Sequence, residues 1–316
     1  MILALDQGTT GSTALVFDDA GRVAGRAYSE FPQHFPRPGW VEHDATDIWE
    51  VTRRVGHEAL NAAGVDGRAL AGIGIANQRE TVVAWDRATG EPLHRALVWQ
   101  DRRTAERCDE LRAAGREPLV RERTGLVLDP YFSGTKIEWL IRHGGVDPAR
   151  AAFGTVDSWL VHKLTGRHAT DYSNASRTML FDIGALAWDE DLCELLGVPL
   201  DSLPEICPSA HVYGETGEFG GSVPVAGVQY KDLDAELAQT RKRGFAISRS
   251  ELIEGAVAIA TPFFDRSGCV AGSIGVFGPE ARLTAARQVK IAKLLMNDAM
   301  ELSQALGFGG AAQRRN

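Results

Sequence analysis

The chain has 316 residues, of which 44% are hydrophobic and 24% are charged, and its formal net charge is −8 at pH 7. This composition is that of a globular protein with enough length for two domains, and it excludes a wholly disordered chain. The opening MILALDQGTT has too short an apolar run for a signal peptide, and no run reaches the roughly 18 apolar residues of a membrane span, so we expect a soluble, cytoplasmic protein without a membrane partner.

Charge and residue type divide the chain near residue 228. Residues 1–228 carry 22 Lys and Arg against 33 Asp and Glu, residues 229–316 carry 12 against 9, and every Trp and His lies before residue 212. The acidic first part argues against a nucleic-acid partner. The four cysteines form no C-x-x-C pair and have no His at zinc-finger spacing, so neither a disulfide framework nor a structural zinc site is indicated.

The first part of the chain predicts a meander of strands followed by helices. ILALD and STALVFD are strand-like runs bridged by QGTTG, and RVAGRAYSE follows the turn DDAG. The segment from Asp44 to Gly64 is an amphipathic helix with Asp44 as candidate N-cap. Further strands are predicted at 72–77 and 81–86, and further helices from about residues 101, 135 and 155. This order of elements indicates an α/β domain.

The loop DQGTTGS between the first two strands has the parts of a phosphate cradle. Its glycines let the backbone approach a ligand, its hydroxyls can bind oxyanions, and its carboxylate can hold magnesium through water. The candidate residues are Asp6, Gly8, Thr9, Thr10, Gly11 and Ser12, with Asp6 as the candidate metal residue. The residues alone leave a plain hairpin turn open as the alternative.

Four blocks of the first part are specific enough to compare with a known family. They read LDQGTTGSTALVFD, GIANQRETVVAWDRATGEPLHRALVWQDRRT, TVDSWLVHKLTG and TDYSNASRTMLFDI. In this order they resemble the N-terminal domain of glycerol kinases, in the FGGY carbohydrate-kinase family, over residues 1–227. The resemblance implies a ribonuclease-H-like domain of the actin and hexokinase type, with ATP and magnesium as cofactors and glycerol or a similar small polyol as substrate.

The resemblance also implies which residues hold the polyol. Arg79 and Glu80 would hydrogen-bond its hydroxyls, Tyr131 would add a phenolic contact, and Trp99 would cover its carbon backbone. A charged donor, a charged acceptor and an apolar wall suit a small triol, because each unpaired buried hydroxyl costs roughly 1–3 kcal/mol. From the residues alone, Arg79 and Glu80 could instead form a surface ion pair, and the two aromatic residues could belong to the core.

Two segments depart from the family pattern. Family members usually have Ser-Ser-Arg where this chain has Gly11, Ser12 and Thr13, so a cation near the transferred phosphate is missing. After PVAG, here at 224–227, they continue to a Gly-Asp-Gln segment that carries the catalytic base and then to a second domain, whereas this chain reads VQYKDLDAELAQTRKRG. No catalytic residue is therefore assigned, and we expect impaired turnover.

The second part predicts a smaller α+β unit. A short helix closed by Gly244, the strands GAVAIATPFF and CVAGSIGVFG, and a long terminal helix follow one another. The run TRKRGFAISRSELIEGAVAIATPFFDRSGCVAGSIGVFGPEARLT resembles the latter half of the effector-binding domain of IclR-type transcriptional regulators, which implies a partial GAF-like sheet. We expect self-association through its unpaired sheet edges. The residues expected to pack from the terminal helix are Ile291, Leu294, Leu295, Met300 and Leu302.

The sequence therefore predicts two domains, 1–227 and 228–316, joined as a fusion. Three functions stay open: a truncated glycerol kinase with impaired catalysis, a non-catalytic metabolite-binding or regulatory fusion related to IclR-type regulators, and a residual fusion without a function of its own.

Overall fold

The structure, a computed structural model, describes residues 1–227, 240, 242–249, 256–266, 270–280 and 282–309. The chain divides into a first unit, Met1–Gln229, and a second unit, Tyr230–Asn316. In the described parts of both units, no helix combines the length and the apolar character that a membrane span requires.

The first unit is a mixed α/β domain. Its strands in chain order are β1 Ile2–Gln7, β2 Gly11–Phe17, β3 Val23–Glu30, β4 Gln33–His34, β5 Glu42–His43, β6 Gly72–Asn77, β7 Val82–Asp86, β8 Ala96–Leu97, β9 Ala151–Thr155, β10 Ala169–Asp171, β11 Phe181–Asp182, β12 Ala187–Trp188, β13 Glu205–Cys207, β14 Val212–Thr216 and β15 Val223–Gly227. Its helices are α1 Ala45–Ala63, α2 Ala105–Ala113, α3 Glu117–Thr124, α4 Gly134–Arg142, α5 Val156–Thr165, α6 Tyr172–Ala175 and α7 Glu190–Leu196, with 3₁₀ turns at Gly67–Ala69 and Leu200–Ser202.

The predicted meander is confirmed as β1, β2 and β3, which pair antiparallel within a six-stranded sheet of order β14-β15-β6-β1-β2-β3. On the other side of β1 the strand β6 pairs parallel with both β1 and β15, and the edge strand β14 pairs antiparallel with β15. A second sheet of order β4-β5-β8-β7-β9 follows. Its strand β7 is buried along its whole length, and it begins directly after the loop that carries Arg79 and Glu80.

The predicted helix from Asp44 to Gly64 is confirmed as α1. Asp44 caps it by accepting a hydrogen bond from the Thr46 backbone N–H at 2.8 Å, and Gly64 ends it in the left-handed region at φ 70°. The helix packs closely against the sheet. A Cβ added at Gly25 of β3 would lie 2.2 Å from the Ala59 carbonyl oxygen, so this contact requires glycine.

The second unit contains an antiparallel sheet of order β16-β17-β18, with β16 Ala246–Arg249, β17 Ala256–Phe264 and β18 Val270–Pro279, followed by α8 Ala285–Ala305. The short helix predicted before Gly244 falls largely outside the described residues. Gly244 itself has φ 85° and donates its N–H to the Thr240 carbonyl at 2.8 Å, the geometry of a helix end.

The predicted core face of α8 was wrong in part. Leu295 is buried and Ile291 is half-buried, but Leu294, Met300 and Leu302 are exposed. The buried face instead carries mainly small or polar residues, namely Gln288, Ala292, Leu295, Ala299 and Ser303. The polar members are hydrogen-bonded, since Gln288 donates to the Leu283 carbonyl at 2.6 Å and the Ser303 hydroxyl accepts from the Phe264 N–H of β17 at 2.9 Å.

Candidate functional site

The candidate site lies where parallel strands end together. In the β1–β6 ladder Gln7 is opposite Asn77, and β15 runs parallel to β6 up to Gly227, so the carboxyl ends of three strands share one edge. In α/β sheets ligands bind outside this edge. The two loops that carry half of the candidate residues, 8–10 and 78–81, start here.

The first of these loops is a tight hairpin in which the Gly8 N–H donates to the Gly11 carbonyl at 2.9 Å. Thr10 at its tip is exposed and Thr9 is half-buried. The Asp6 carboxylate is on the exposed side of β1, and its partial desolvation raises the pKa of Asp6. The loop therefore offers backbone, hydroxyls and one carboxylate to solvent.

Two residues of the predicted phosphate cradle, Gly11 and Ser12, have packing roles that explain their presence without a ligand. The Ser12 hydroxyl is fully buried against the Thr52 hydroxyl at 2.9 Å, so the structure corrects its prediction as a phosphate contact. A Cβ on Gly11 would lie 2.5 Å from the Ser29 carbonyl oxygen, so glycine is needed here for the approach of β3.

A buried polar network supports the hairpin from below. Gln33 donates to the Thr9 carbonyl at 3.1 Å, and Gln78 donates to the Gly8 carbonyl at 3.3 Å. The His43 ring lies between these amides, with Nε2 2.5 Å from Gln33 Oε1 and Nδ1 3.3 Å from Gln78 Nε2. Burial lowers the pKa of His43 to about 4, so the ring is neutral near pH 7 and accepts at Nδ1. The hairpin geometry is thus fixed from inside the domain.

Glu80 is held in a strained and buried position. Its φ of 61° is in the left-handed region, a conformation that costs about 1–3 kcal/mol for a residue other than glycine. Its carbonyl accepts from the Ser133 hydroxyl at 3.0 Å, and its Oε1 accepts from Arg177 Nε at 2.6 Å. Arg79 is exposed, and its guanidinium has no hydrogen-bond or ion-pair partner in the part of the chain that the structure describes. The alternative of an Arg79–Glu80 surface pair was therefore wrong.

Trp99 and Tyr131 form a half-buried aromatic wall, with ring centroids 5.4 Å apart. The Trp99 indole N–H donates to the Thr9 hydroxyl at 3.0 Å, and the Trp99 backbone N–H donates to the Thr81 hydroxyl at 3.2 Å. Thr81 in turn donates to Gln78 at 2.9 Å. The wall is thus hydrogen-bonded to both loops of the site.

Lys136 holds the segment that presents Tyr131. Its ammonium is fully buried and donates to the carbonyls of Pro130, Tyr131 (2.9 Å) and Phe132 (3.4 Å). Burial lowers the pKa of Lys136 to about 7. The residue lies on α4, whose sequence TKIEWLI is otherwise that of an amphipathic core helix.

The structure brings Thr9, Glu80, Trp99 and Tyr131 together through direct or shared contacts and leaves the Ser12 hydroxyl outside. Sequence reasoning missed the residues that support them, namely Gln33, His43, Thr81, Lys136 and Arg177. The signal for Arg177 was its place in the block TDYSNASRTMLFDI, whereas buried amides carry no comparable signal. In the described residues, no three His, Cys, Asp or Glu side chains cluster as metal ligands.

The fold defines the class first, an α/β domain of the actin and hexokinase type. A crystal structure of Plasmodium falciparum glycerol kinase with ADP is similar with a TM-score of 0.71 and 26% identity, over 95% of this chain and 64% of that chain. A xylulose kinase from Rhodospirillum rubrum has a TM-score of 0.71 at 23% identity, over 96% of this chain and 65% of that chain, and this likeness concerns the fold alone. The predicted fold class is confirmed.

The chain belongs to the FGGY family of carbohydrate kinases, because a family model of their N-terminal domain matches residues 1–225. The glycerol kinase of Alkalilimnicola ehrlichii is 57% identical over 236 residues, which are 72% of this chain and 48% of that protein. The chain spans about half the length of the curated relatives it matches. Residues 223–304 match the C-terminal domain of the bacterial transcriptional regulator IclR. Both resemblances found in the sequence are confirmed.

Proposed function

We propose that the chain is a glycerol kinase-like protein that binds a small polyol such as glycerol, together with the phosphates of ATP, and transfers phosphate poorly. The observation that carries the proposal is the buried Glu80 carboxylate, held by Arg177 at the aromatic wall. A fixed carboxylate accepts hydrogen bonds from hydroxyls, while Trp99 and Tyr131 cover the carbon backbone. The exposed Arg79 supplies a donor on the same loop.

The phosphates are assigned to the hairpin between β1 and β2. Gly8 and Gly11 let the backbone of this hairpin come close to a ligand, and the hydroxyls of Thr9 and Thr10 offer donors at the carboxyl end of β1. The similar Plasmodium falciparum structure contains ADP, which supports a nucleotide as the second ligand. Nucleotide binding rests on this hairpin without the cation that relatives have at the position of Thr13.

Magnesium fits the donor set around Asp6. The ion usually keeps several waters and takes one or two carboxylates plus substrate phosphates, so a single exposed carboxylate beside a phosphate loop suffices. Asp6 would hold it through water, and the bound ion would neutralise phosphate charge. The raised pKa of Asp6 predicts that a cation binds more weakly as the pH falls, because the carboxylate must be ionised to hold it.

Turnover is proposed to be impaired because the segment that carries the family base is replaced. After Gly227 the chain continues with residues that match the IclR C-terminal domain. Loss of a general base alone lowers a rate by about 10² to 10⁴.

A metabolite-binding or regulatory fusion is the second candidate. Two observations together favour it. The candidate polyol site is built wholly within residues 7–177, and an IclR-type segment replaces the one that carries the catalytic base in the kinase family. Such a protein would bind glycerol and nucleotide without turnover.

Calorimetry and an ADP-release assay on the full chain test both candidates. We expect glycerol to bind the wild-type protein. Glu80→Gln should weaken glycerol binding at least about tenfold, because a charge-assisted hydrogen bond is lost. Glu91→Gln, on an exposed turn, is the control and should leave glycerol binding unchanged. Slow ADP release that depends on glycerol supports the impaired kinase, and binding without release supports the regulatory fusion. Absence of both binding and release would contradict both candidates and favour a residual fusion.

We also propose that the second unit self-associates through β18. Within the described residues β18 pairs with β17 alone, and Val276 and Phe277 on it are exposed. Unpaired strand edges with apolar side chains favour pairing between chains. Sedimentation velocity should show concentration-dependent association that Phe277→Lys reduces, and a monomer at all concentrations would contradict the proposal.

A further inference from the structure

Arg177 makes a close contact with the candidate polyol acceptor. Its Nε lies 2.6 Å from Glu80 Oε1, and the two side chains are 35% and 3% exposed. A hydrogen bond between two charged groups at this burial is stronger than a neutral one and is screened little by salt. In the described part of the chain, Glu80 Oε2 receives no hydrogen bond. The pair thus fixes one carboxylate oxygen and leaves the other for a ligand.

The same guanidinium touches the aromatic segment. Its central carbon lies 5.8 Å from the Tyr131 ring centroid and 5.0 Å from that of Phe132, within the range of a cation–π contact. The Tyr131 ring packs in turn against Trp99. A single cation therefore contacts both the acceptor and the wall of the candidate site.

The start of α4 forms hydrogen bonds with the backbone next to Arg177 and with the backbone of Glu80. The Gly134 N–H donates to the Thr178 carbonyl at 2.6 Å, next to Arg177, and the Ser133 hydroxyl donates to the Glu80 carbonyl at 3.0 Å. A Cβ on Gly134 would lie 2.8 Å from the Thr178 carbonyl oxygen, so the approach is close. Both ends of the ion pair are thus anchored to neighbouring residues.

From these contacts we infer that Arg177 is a positioning residue, which holds the Glu80 carboxylate in the one orientation that accepts a polyol hydroxyl. The inference rests on the proposed function of this site. Arg177 acts through Glu80: its removal should matter only while Glu80 is a carboxylate that must be held.

A double-mutant cycle in the full chain tests this with glycerol calorimetry. Arg177→Met should weaken glycerol binding about 10- to 100-fold, the range expected when a hydrogen bond to a charged group is lost. In the Glu80→Gln background the same change should cost no more than about threefold. Arg177→Lys keeps a cation and should recover part of the loss, although it lacks the planar guanidinium. Arg123→Met is the matched control, because Arg123 is 40% exposed and pairs with Asp182 at 3.3 Å elsewhere in the same unit.

The outcomes separate this inference from the proposed function. The inference would be overturned if Arg177→Met lowered the affinity for glycerol equally in the wild-type and the Glu80→Gln backgrounds. It would also be overturned if Arg177→Met bound glycerol as tightly as the wild-type protein. If the wild-type protein binds no glycerol, the proposed function fails. The free energy of unfolding of the wild type, the two single variants and the double variant, measured by Trp fluorescence, then decides whether Arg177 and Glu80 are coupled. Additive stability losses would then overturn the inference, and a clear coupling would support the part of it that stands without glycerol, namely that Arg177 holds the Glu80 carboxylate. If Arg177→Met does not fold, the cycle is closed with Arg177→Lys instead.

Discussion

Lowering the pH from 6.5 to 4 should destabilise the first unit through His43. Burial lowers the pKa of this histidine to about 4, against 6.5 for an ordinary histidine. In the window between these values the unfolded chain binds a proton that the folded chain does not, so stability is present above pH 6.5 and is lost as the pH falls towards 4. Protonation would also place an N–H at Nδ1, which now accepts from Gln78 at 3.3 Å.

The magnitude follows from the width of this window. The difference between a pKa of 6.5 and one of about 4 corresponds to about 3 kcal/mol of stability. His168 should behave in the same way, because burial lowers its pKa to about 4 as well. Asp157 works in the opposite direction, since burial raises its pKa to about 6 and the folded state binds the extra proton between pH 3.8 and 6. A comparison with a variant is therefore needed to isolate His43.

Urea unfolding of the wild-type protein and His43→Gln, repeated from pH 7 to pH 4, makes that comparison. Trp fluorescence reports on the first unit, because all seven Trp lie between Trp40 and Trp188. We expect the stability advantage of the wild type over the variant to shrink by about 3 kcal/mol across the range. Parallel pH profiles would show that His43 titrates alike in the folded and unfolded chains, and the account of the network under the hairpin would be refuted.

Three further predictions concern packing, coupling and domain structure. Gly25→Ala should lower the free energy of unfolding in urea by about 1–3 kcal/mol, because the added Cβ would lie 2.2 Å from a carbonyl oxygen of α1. Gly72→Ala is the control and should be close to neutral, because the nearest atom is 3.6 Å from its added Cβ. Equal effects of the two changes would contradict the packing. Trp99→Phe keeps an apolar wall but removes the hydrogen bond to Thr9, so calorimetry should show that glycerol changes ADP affinity less than in the wild type, and unchanged coupling would contradict a role for this bond. Limited proteolysis should leave a protected fragment that ends near residue 229, and cleavage throughout the first 200 residues would contradict a separate first unit.

Local patterns were enough to predict the meander and α1, because alternation, an Asp N-cap and a terminal glycine act over a few residues. Contacts such as that of Arg177 with Glu80 join residues 97 positions apart, which no local pattern encodes. The error at Ser12 was avoidable, since it shares the alternation of Ala14 and Val16, which face the core. The error on α8 arose because large aliphatic residues were expected inside, whereas the face that packs uses small residues.

The match to the kinase family ends near Gly227, and the match to the IclR C-terminal domain covers the residues that follow. The hydrogen bonds described for the site join residues between Gly8 and Thr178, including the amide and histidine network and the Trp99–Thr9 bond. Recombination downstream of residue 227 would therefore leave these residues with their own internal scaffold. A segment that carries its own scaffold is a transplantable part, because the chain that follows residue 227 can change without breaking these hydrogen bonds.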